Sequence, residues 1–416
     1  MKIEITAPVG SYESLIAALD AGADSVYFGI GNLNMRSSAA INFQEEDLPK
    51  IVKKCRENGA KAYLALNTVV FDDELEQVEK ILNYAAKSGV DAIIASDLSV
   101  LNFANNLGLK VHMSTQTNIT NIEAVKFYSR WADVVVLSRE LSYNRVKKLC
   151  QNIEERNICG PSGNLVRVET FAHGALCMAI SGKCYLSLDN ANSSANRGNC
   201  TQICRRPYLV TDKVGEVELM VDNEYIMSPK DLCTIGFLDK LLDAGVSILK
   251  IEGRGRPPEY VSTVVKVYKE ALSAIKEGTY SAEKIDVWTK RLSTVYNRGF
   301  WGGYFMGKTI GEWSERHGSS ALERREYIGK VVNYFSKIGV VEVKAETGDV
   351  YPNEKISING PTTGLYEGII SEIHLDKGKV DFAPKGSFFS FPVSKLIRRG
   401  DKVFRIVPNI DDEVEK

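Results

Sequence analysis

Five of the eight cysteines in this 416-residue chain, Cys177, Cys184, Cys200, Cys204 and Cys233, fall in one stretch that is also rich in Gly, Ser and Asn. Thiolates are soft ligands that select zinc, copper or iron–sulfur clusters. Four of them meeting at one site would therefore hold either a structural zinc or a 4Fe-4S centre. Spacing helps to separate these two. Structural zinc usually shows two close cysteine pairs about two to four residues apart, and here only Cys200 and Cys204 make such a pair. The wide remaining gaps suit a cluster held by several loops. Isolated free cysteines pack as small buried hydrophobes, but the Gly, Ser, Asn and Arg neighbours of these five do not read as core.

A second set of chemical candidates is carried by the elements around the cysteines. Eight short apolar runs, Ile3–Ala7, Ser25–Ile30, Lys61–Leu66, Ala92–Ala95, Lys110–Met113, Asp133–Leu137, Val168–Ala172 and Ile248–Ile251, alternate with stretches of helical period such as Glu46–Asn58 and Asp73–Ser88. Alternation of this kind predicts a parallel sheet buried on both faces. Eight units fit a TIM-like (β/α)8 barrel better than an open dinucleotide fold, since Gly29-Ile30-Gly31 lacks the third glycine of a pyrophosphate fingerprint. The runs end in Asn67, Asp97, Gln116, Arg139, His173 and Glu252, and barrel active sites lie at that face. Arg139 and Arg254 stand where a dianion would be gripped bidentately, with Arg36 and Arg197 as loop candidates for the same task. Each of these also has a plain reading, as an ion pair or as a polar residue marking where a strand becomes a loop.

The βα rhythm breaks at the cysteine-rich insertion, about 174–233, and the barrel is expected to span 1–300. A linker over 301–325 leads to a small all-β barrel domain over 326–410. Its strands are expected at Tyr327–Phe335, Val340–Ala345, Lys355–Asn359, Gly368–Ile373, Lys379–Phe382, Phe388–Val393 and Lys402–Val407. Net charge is -1, with 44% hydrophobic and 25% charged residues, which argues against nonspecific coating of nucleic acid. Local basic groups remain at Lys147-Lys148, Arg205-Arg206, Arg324-Arg325 and Lys395–Arg399, and Phe388, Phe389 and Phe391 offer either base stacking or core. The N-terminal residues do not read as a signal peptide and no segment reads as a membrane span, so a cytoplasmic protein with reduced thiols is expected. The acidic tail Asp411-Asp412-Glu413 is expected to fray.

Five stretches carry a resemblance. Ala7-Pro8-Val9-Gly10-Ser11, Ala21–Gly29, His173-Gly174-Ala175-Leu176-Cys177, Ser194-Ala195-Asn196-Arg197-Gly198 and Lys250-Ile251-Glu252-Gly253-Arg254 resemble the collagenase-like peptidases of unassigned catalytic type over about residues 1–280. The C-terminal β domain is similar to that of the longer members. Members of this family hydroxylate a tRNA wobble uridine, a ribosomal RNA cytidine or a ubiquinone precursor without molecular oxygen. The resemblance therefore implies a 4Fe-4S cluster on Cys177, Cys184, Cys200 and Cys233, with Cys204 matching a ligand used by a partner protein in the ubiquinone branch. It also implies prephenate as the hydroxyl source.

On this reading the protein is a prephenate-dependent tRNA 5-hydroxyuridine hydroxylase. His173, Arg139, Glu252 and Arg254 are its expected catalytic groups, and Arg36, Gln116, Asn196 and Arg197 are expected to bind cofactor or co-substrate. Expected partners are tRNA and a small carboxylate, with a protein partner or a second copy of the chain left open. The rival readings are a peptidase, a hydroxylase of ribosomal RNA or a quinone precursor, and a non-catalytic iron–sulfur RNA-binding scaffold. A peptidase has little support in sequence: there is no His-Glu-x-x-His and no nucleophile elbow, and the histidines are dispersed at His112, His173, His317 and His374.

Overall fold

The computed structural model describes residues 3–38, 43–210, 225–308 and 311–409; the acidic tail lies outside them. Every apolar run predicted for the barrel is a strand: β1 (Glu4–Pro8), β2 (Ser25–Phe28), β3 (Lys61–Leu66), β4 (Ala92–Ala95), β5 (Val111–Met113), β6 (Val134–Val136), β7 (Arg167–Gly174) and, after β8 (Asp231–Cys233), β9 (Ile248–Ile251). Parallel pairing runs from β1 to β7, and β9 closes the ring between β7 and β1. Around it lie α1 (Tyr12–Asp20), α2 (Leu48–Glu57), α3 (Leu75–Ser88), α4 (Leu98–Asn106), α5 (Ile122–Tyr128) and α6 (Tyr143–Glu155). After α7 (Leu186–Ala191), in the insertion, come α8 (Leu238–Asp243), α9 (Pro258–Lys276) and α10 (Ala282–Ser293).

Period-two alternation divides the strand residues between two cores. Outward residues such as Ile5, Val26, Leu64, Ile93 and Val135 pack with the helices, whereas Tyr27, Tyr63, Ala65, Ala92 and Ile94 form a separate cluster inside the ring. The rest of the interior is unusually polar. Glu4, at the floor, accepts from the Tyr63 hydroxyl and reaches Lys61 at 3.0 Å and Arg167 at 3.2 Å. Burial alone would raise its carboxyl, but these partners outweigh burial and hold it at about 2 against an ordinary 4.5. Because the folded-state value is the lower one, this stabilisation is complete above pH 4.5 and is lost as the pH falls from 4.5 towards 2. Glu4→Gln is accordingly expected to flatten the acid limb of the stability curve and to cost roughly 3 kcal/mol at neutral pH. Urea unfolding followed across that limb would test this; an unchanged limb would mean that other carboxylates set it.

The insertion leaves β7 at Gly174, and its first returning strand, β8, runs antiparallel to the end of β7. The short β10 (Phe300–Trp301) then pairs with β8. Arg197 pins the insertion to the loop after β3: it pairs with both carboxylate oxygens of Glu74, bonds the Val69 carbonyl and lies 4.3 Å over the Phe71 ring.

The C-terminal domain is one antiparallel sheet of β11 (Glu323–Phe335), β12 (Val340–Ala345), β13 (Lys355–Gly360), β14 (Gly364–Ile369), β15 (Ile373–Leu375), β16 (Gly378–Val380), β17 (Phe388–Pro392) and β18 (Lys402–Pro408). Its apolar residues form a single core that draws on β11, β12, β13, β15, β17 and β18, so the sheet wraps around its own side chains. The run expected as one strand at Gly368–Ile373 is divided: its first residues close a hairpin with β13, and Ile373 opens β15. Phe389 and Phe391 are core, whereas Phe388 is exposed. The domain leans on the barrel flank through Arg325 to Glu259 at 2.8 Å and Lys395 to Asp20 at 2.6 Å. With Lys147 on Asp243 and Arg324 on Glu326 as well, much of the expected free basic surface is paired.

Candidate active site

The carboxyl ends of the strands open into a cleft of about 500 Å³, open solvent included, lined by Arg36, Arg139, Lys250 and Arg254, with Glu252 as its one carboxylate among the described residues. The sequence builds it from short loops directly after the strands, which hold side chains rigidly. Arg36 donates from Nε at 3.2 Å and from Nη2 at 2.7 Å to one oxygen of Glu252. Burial would push the Glu252 carboxyl up, but Arg36, Arg256 and Arg139 prevail and keep it below the ordinary range. Arg254 is buried and bonded to Asn34 Oδ1 at 2.8 Å; burial lowers its guanidinium to about 10, and its Nη1 has no partner. Gly29 makes room for it, since a Cβ there would stand 2.4 Å from Nη1 of Arg254.

Arg139 donates to the Ala175 carbonyl at 3.0 Å and covers the Phe171 ring at 3.9 Å. Its Nε is buried without a partner, and burial lowers its pKa. Among the described residues four cations face one lining carboxylate, and Arg139 and Arg254 keep unused donors, which makes a site for a multiply charged anion. Asn67 lines the same cleft, bonded to Ser114 Oγ at 3.1 Å, and so does Gln116, whose Oε1 is buried and unpaired.

A second cavity, of about 1190 Å³ with its open solvent included, adjoins the first and shares Met35, Arg36, Gln116, Arg139 and Glu252 with it. Cys177, Cys184, Cys200 and Cys204 line it, together with Arg205, Arg256 and Arg298. All four thiols are free. Burial pushes the Cys204 thiol up to about 11, and Cys177, Cys200 and Cys184 lie close enough to add to the rise while Arg205 opposes it. Cys233 is not among them. It sits in β8 opposite His173, fully buried, with burial raising its thiol to about 11 and Tyr268 beside it. Of the two candidates for a fourth ligand, Cys204 shares the cavity with Cys177, Cys184 and Cys200, whereas Cys233 does not line it.

Among the described residues no three His, Cys, Asp or Glu side chains converge to take a single metal ion. A four-iron cluster asks for something else, because each thiolate binds a different iron and the sulfurs must stand around a space. The donor set fits that group: four soft thiols around one cavity, with guanidinium groups to balance the negative charge of a thiolate-ligated cluster.

Two expected site residues, His173 and Arg197, lie elsewhere. His173 is turned away from the cleft by a bulge in β7, where Phe171 pairs with Lys250 and His173 with Ile251. Its ring is packed among Tyr260, Tyr268 and Phe300, and burial lowers its pKa to about 3, so it stays neutral and out of contact with the cleft. Arg197 is spent on Glu74. Asn196 lines a third groove with Asp97 that adjoins the cleft, sharing Met35, Asn67 and Gln116 with it, and Asp97 itself caps α4 by accepting from Ser99 N at 2.9 Å. Conversely, sequence reasoning passed over Lys250, Arg256 and Arg298. Lys250 alone carried a signal, a single charge inside the apolar run Ile248–Ile251.

The sequence profile of Peptidase family U32 matches residues 10–315. A protein named collagenase from Porphyromonas gingivalis is 54% identical over 402 residues, covering 97% of each chain. The tRNA hydroxylation protein P1 of Bacillus subtilis is 32% identical over 341 residues, covering 80% of this chain and 78% of that one. A 23S rRNA 5-hydroxycytidine synthase of Escherichia coli is 34% identical over 280 residues, covering 66% of this chain and 40% of its own length.

Proposed function

This chain belongs to peptidase family U32, and from that premise we propose that it is an RNA-modifying hydroxylase, acting at C5 of a tRNA wobble uridine without molecular oxygen and taking the hydroxyl group from prephenate. The observation that carries this reading is the direct opening of a four-cation cleft onto a cavity lined by four cysteines. Cys177, Cys184, Cys200 and Cys204 would hold a 4Fe-4S cluster, which supplies one-electron redox chemistry when bound. Arg139 and Arg254 bind the two carboxylates of prephenate, and Arg36 fixes Glu252 beside them. Glu252, kept ionised by the arginines around it, would accept a proton from the reacting base. The relatives named for tRNA and ribosomal RNA hydroxylation support the class of reaction.

Peptidase activity is the second reading, favoured by the name of the 54% identical relative. A cysteine peptidase needs a histidine beside its thiol; the histidine nearest the cysteine loop in sequence, His173, is buried away from the cavity. Deletion of the gene is expected to remove 5-hydroxyuridine from total tRNA, as read by nucleoside mass spectrometry. Wild type should restore it and Arg254→Gln should not. Unchanged tRNA together with loss of gelatin cleavage would favour the peptidase.

A further inference from the structure

Behind Lys250 in the cleft wall, the barrel interior carries further ionisable groups, Glu169 and His112. Inward positions of such barrels are ordinarily filled by Val, Ile and Leu. Here Lys250, Glu169 and His112 are all buried inside the ring. The Lys250 ammonium forms part of the cleft wall, lies 4.5 Å over the Tyr27 ring and is 2.7 Å from Oε1 of Glu169. The other carboxylate oxygen, Oε2, faces Nδ1 of His112 at 3.5 Å, and neither atom has another hydrogen-bond partner. The His112 ring in turn packs on Tyr63, with centroids 4.5 Å apart, and Tyr63 leads to Glu4, Lys61 and Arg167 at the floor.

An ion pair built only for stability needs one amine and one carboxylate, and burying even that pair gains little over apolar packing. An imidazole aimed at the second oxygen is surplus to it. The arrangement instead orients a donor: Lys250 in the cleft wall, a carboxylate behind it that holds the ammonium, and an imidazole facing the carboxylate's second oxygen. We propose that Lys250 is the proton donor of the cleft and that Glu169 and His112 are positioning residues that hold its ammonium towards the ligand. When Nζ donates to a ligand oxygen, an N–H bond breaks, an O–H bond forms and the amine is left neutral, to be reprotonated by water once the ligand leaves. This rests on the cleft being the reaction site.

The test has one reading that needs no turnover. In the intact protein, the pH dependence of Lys250 acetylation by acetic anhydride, mapped by mass spectrometry, gives the titration midpoint of its amine. Glu169→Gln is expected to lower that midpoint by at least about one pH unit, because it removes the charge that favours the ammonium, and Glu169→Asp is expected to restore most of it. In the hydroxylation assay, Lys250→Met should lower kcat roughly 100-fold. His112→Asn should lower kcat and shift the basic limb of the pH profile, with KM for the carboxylate co-substrate unchanged. The assignment is overturned if Glu169→Gln leaves the Lys250 midpoint in place, or if Lys250→Met turns over normally. Should wild type form no hydroxynucleoside, the functional reading fails and the acetylation midpoints alone decide the assignment.

Discussion

Serine in place of Cys177, Cys184, Cys200 or Cys204 is expected to reduce bound iron and acid-labile sulfide from about four per chain to a small residue, whereas Cys233→Ser is expected to leave both unchanged. The distinction follows from geometry. The first four thiols line one cavity, while Cys233 is held in β8 against Tyr268 and behind His173. Loss of iron is also expected to be largely all-or-none, since a cluster missing one thiolate exposes an iron to solvent. Anaerobic purification with iron and sulfide analysis and EPR checks this. Iron loss on Cys233→Ser with retention on Cys204→Ser would reverse the assignment and place the cluster deeper, at the root of β7.

The second large effect is expected at Arg139. Its guanidinium is buried, lines both cavities and keeps an unpartnered Nε, so it is poised for an anion that is not yet paired. Arg139→Gln removes a charge-assisted bond from a site where water competes poorly, and the loss of such bonds costs about 1.5–3 kcal/mol. KM for prephenate is expected to rise by roughly 10- to 150-fold from that figure, with iron content unaffected. Arg197→Gln supplies the contrast. It unpins the insertion from Glu74 and is expected to lower thermal stability and iron retention while leaving KM for the carboxylate within about twofold. Steady-state kinetics on the two variants, beside their iron content, separates binding from scaffolding; equal KM values would remove Arg139 from the anion site.

The barrel was legible because each inward or outward strand residue is buried on one side or the other, which leaves runs such as Val134-Val135-Val136 with no polar break. The arginines and Glu252 at the strand ends were legible for the complementary reason, charge where the chain leaves the core. His173 lies away from the cleft although period two alone points it into the barrel with Glu169 and Phe171, because a one-residue bulge, invisible in the sequence, shifts the register. The choice between Cys204 and Cys233 was hidden by topology. Cys233 follows Cys204 in the chain, but β8 carries it back into the sheet. Lys250 and Glu169 were overlooked because each reads as an isolated charge in an apolar run, and only ring closure between β7 and β9 brings them to 2.7 Å. Pairing of Arg325 with Glu259 likewise depends on how the β domain docks against α9.

Transfer of a hydroxyl group from the cleft to RNA is tested most directly by isotope labelling. Cluster-loaded protein would be mixed under strict anaerobiosis with unmodified tRNA and prephenate carrying ¹⁸O in its hydroxyl group, and the digested nucleosides weighed. 5-Hydroxyuridine bearing the heavy oxygen is expected from wild type and is expected to be lost with Cys200→Ser. Absence of any hydroxylated nucleoside from fully loaded protein, alongside cleavage of collagen peptides, would contradict hydroxyl transfer.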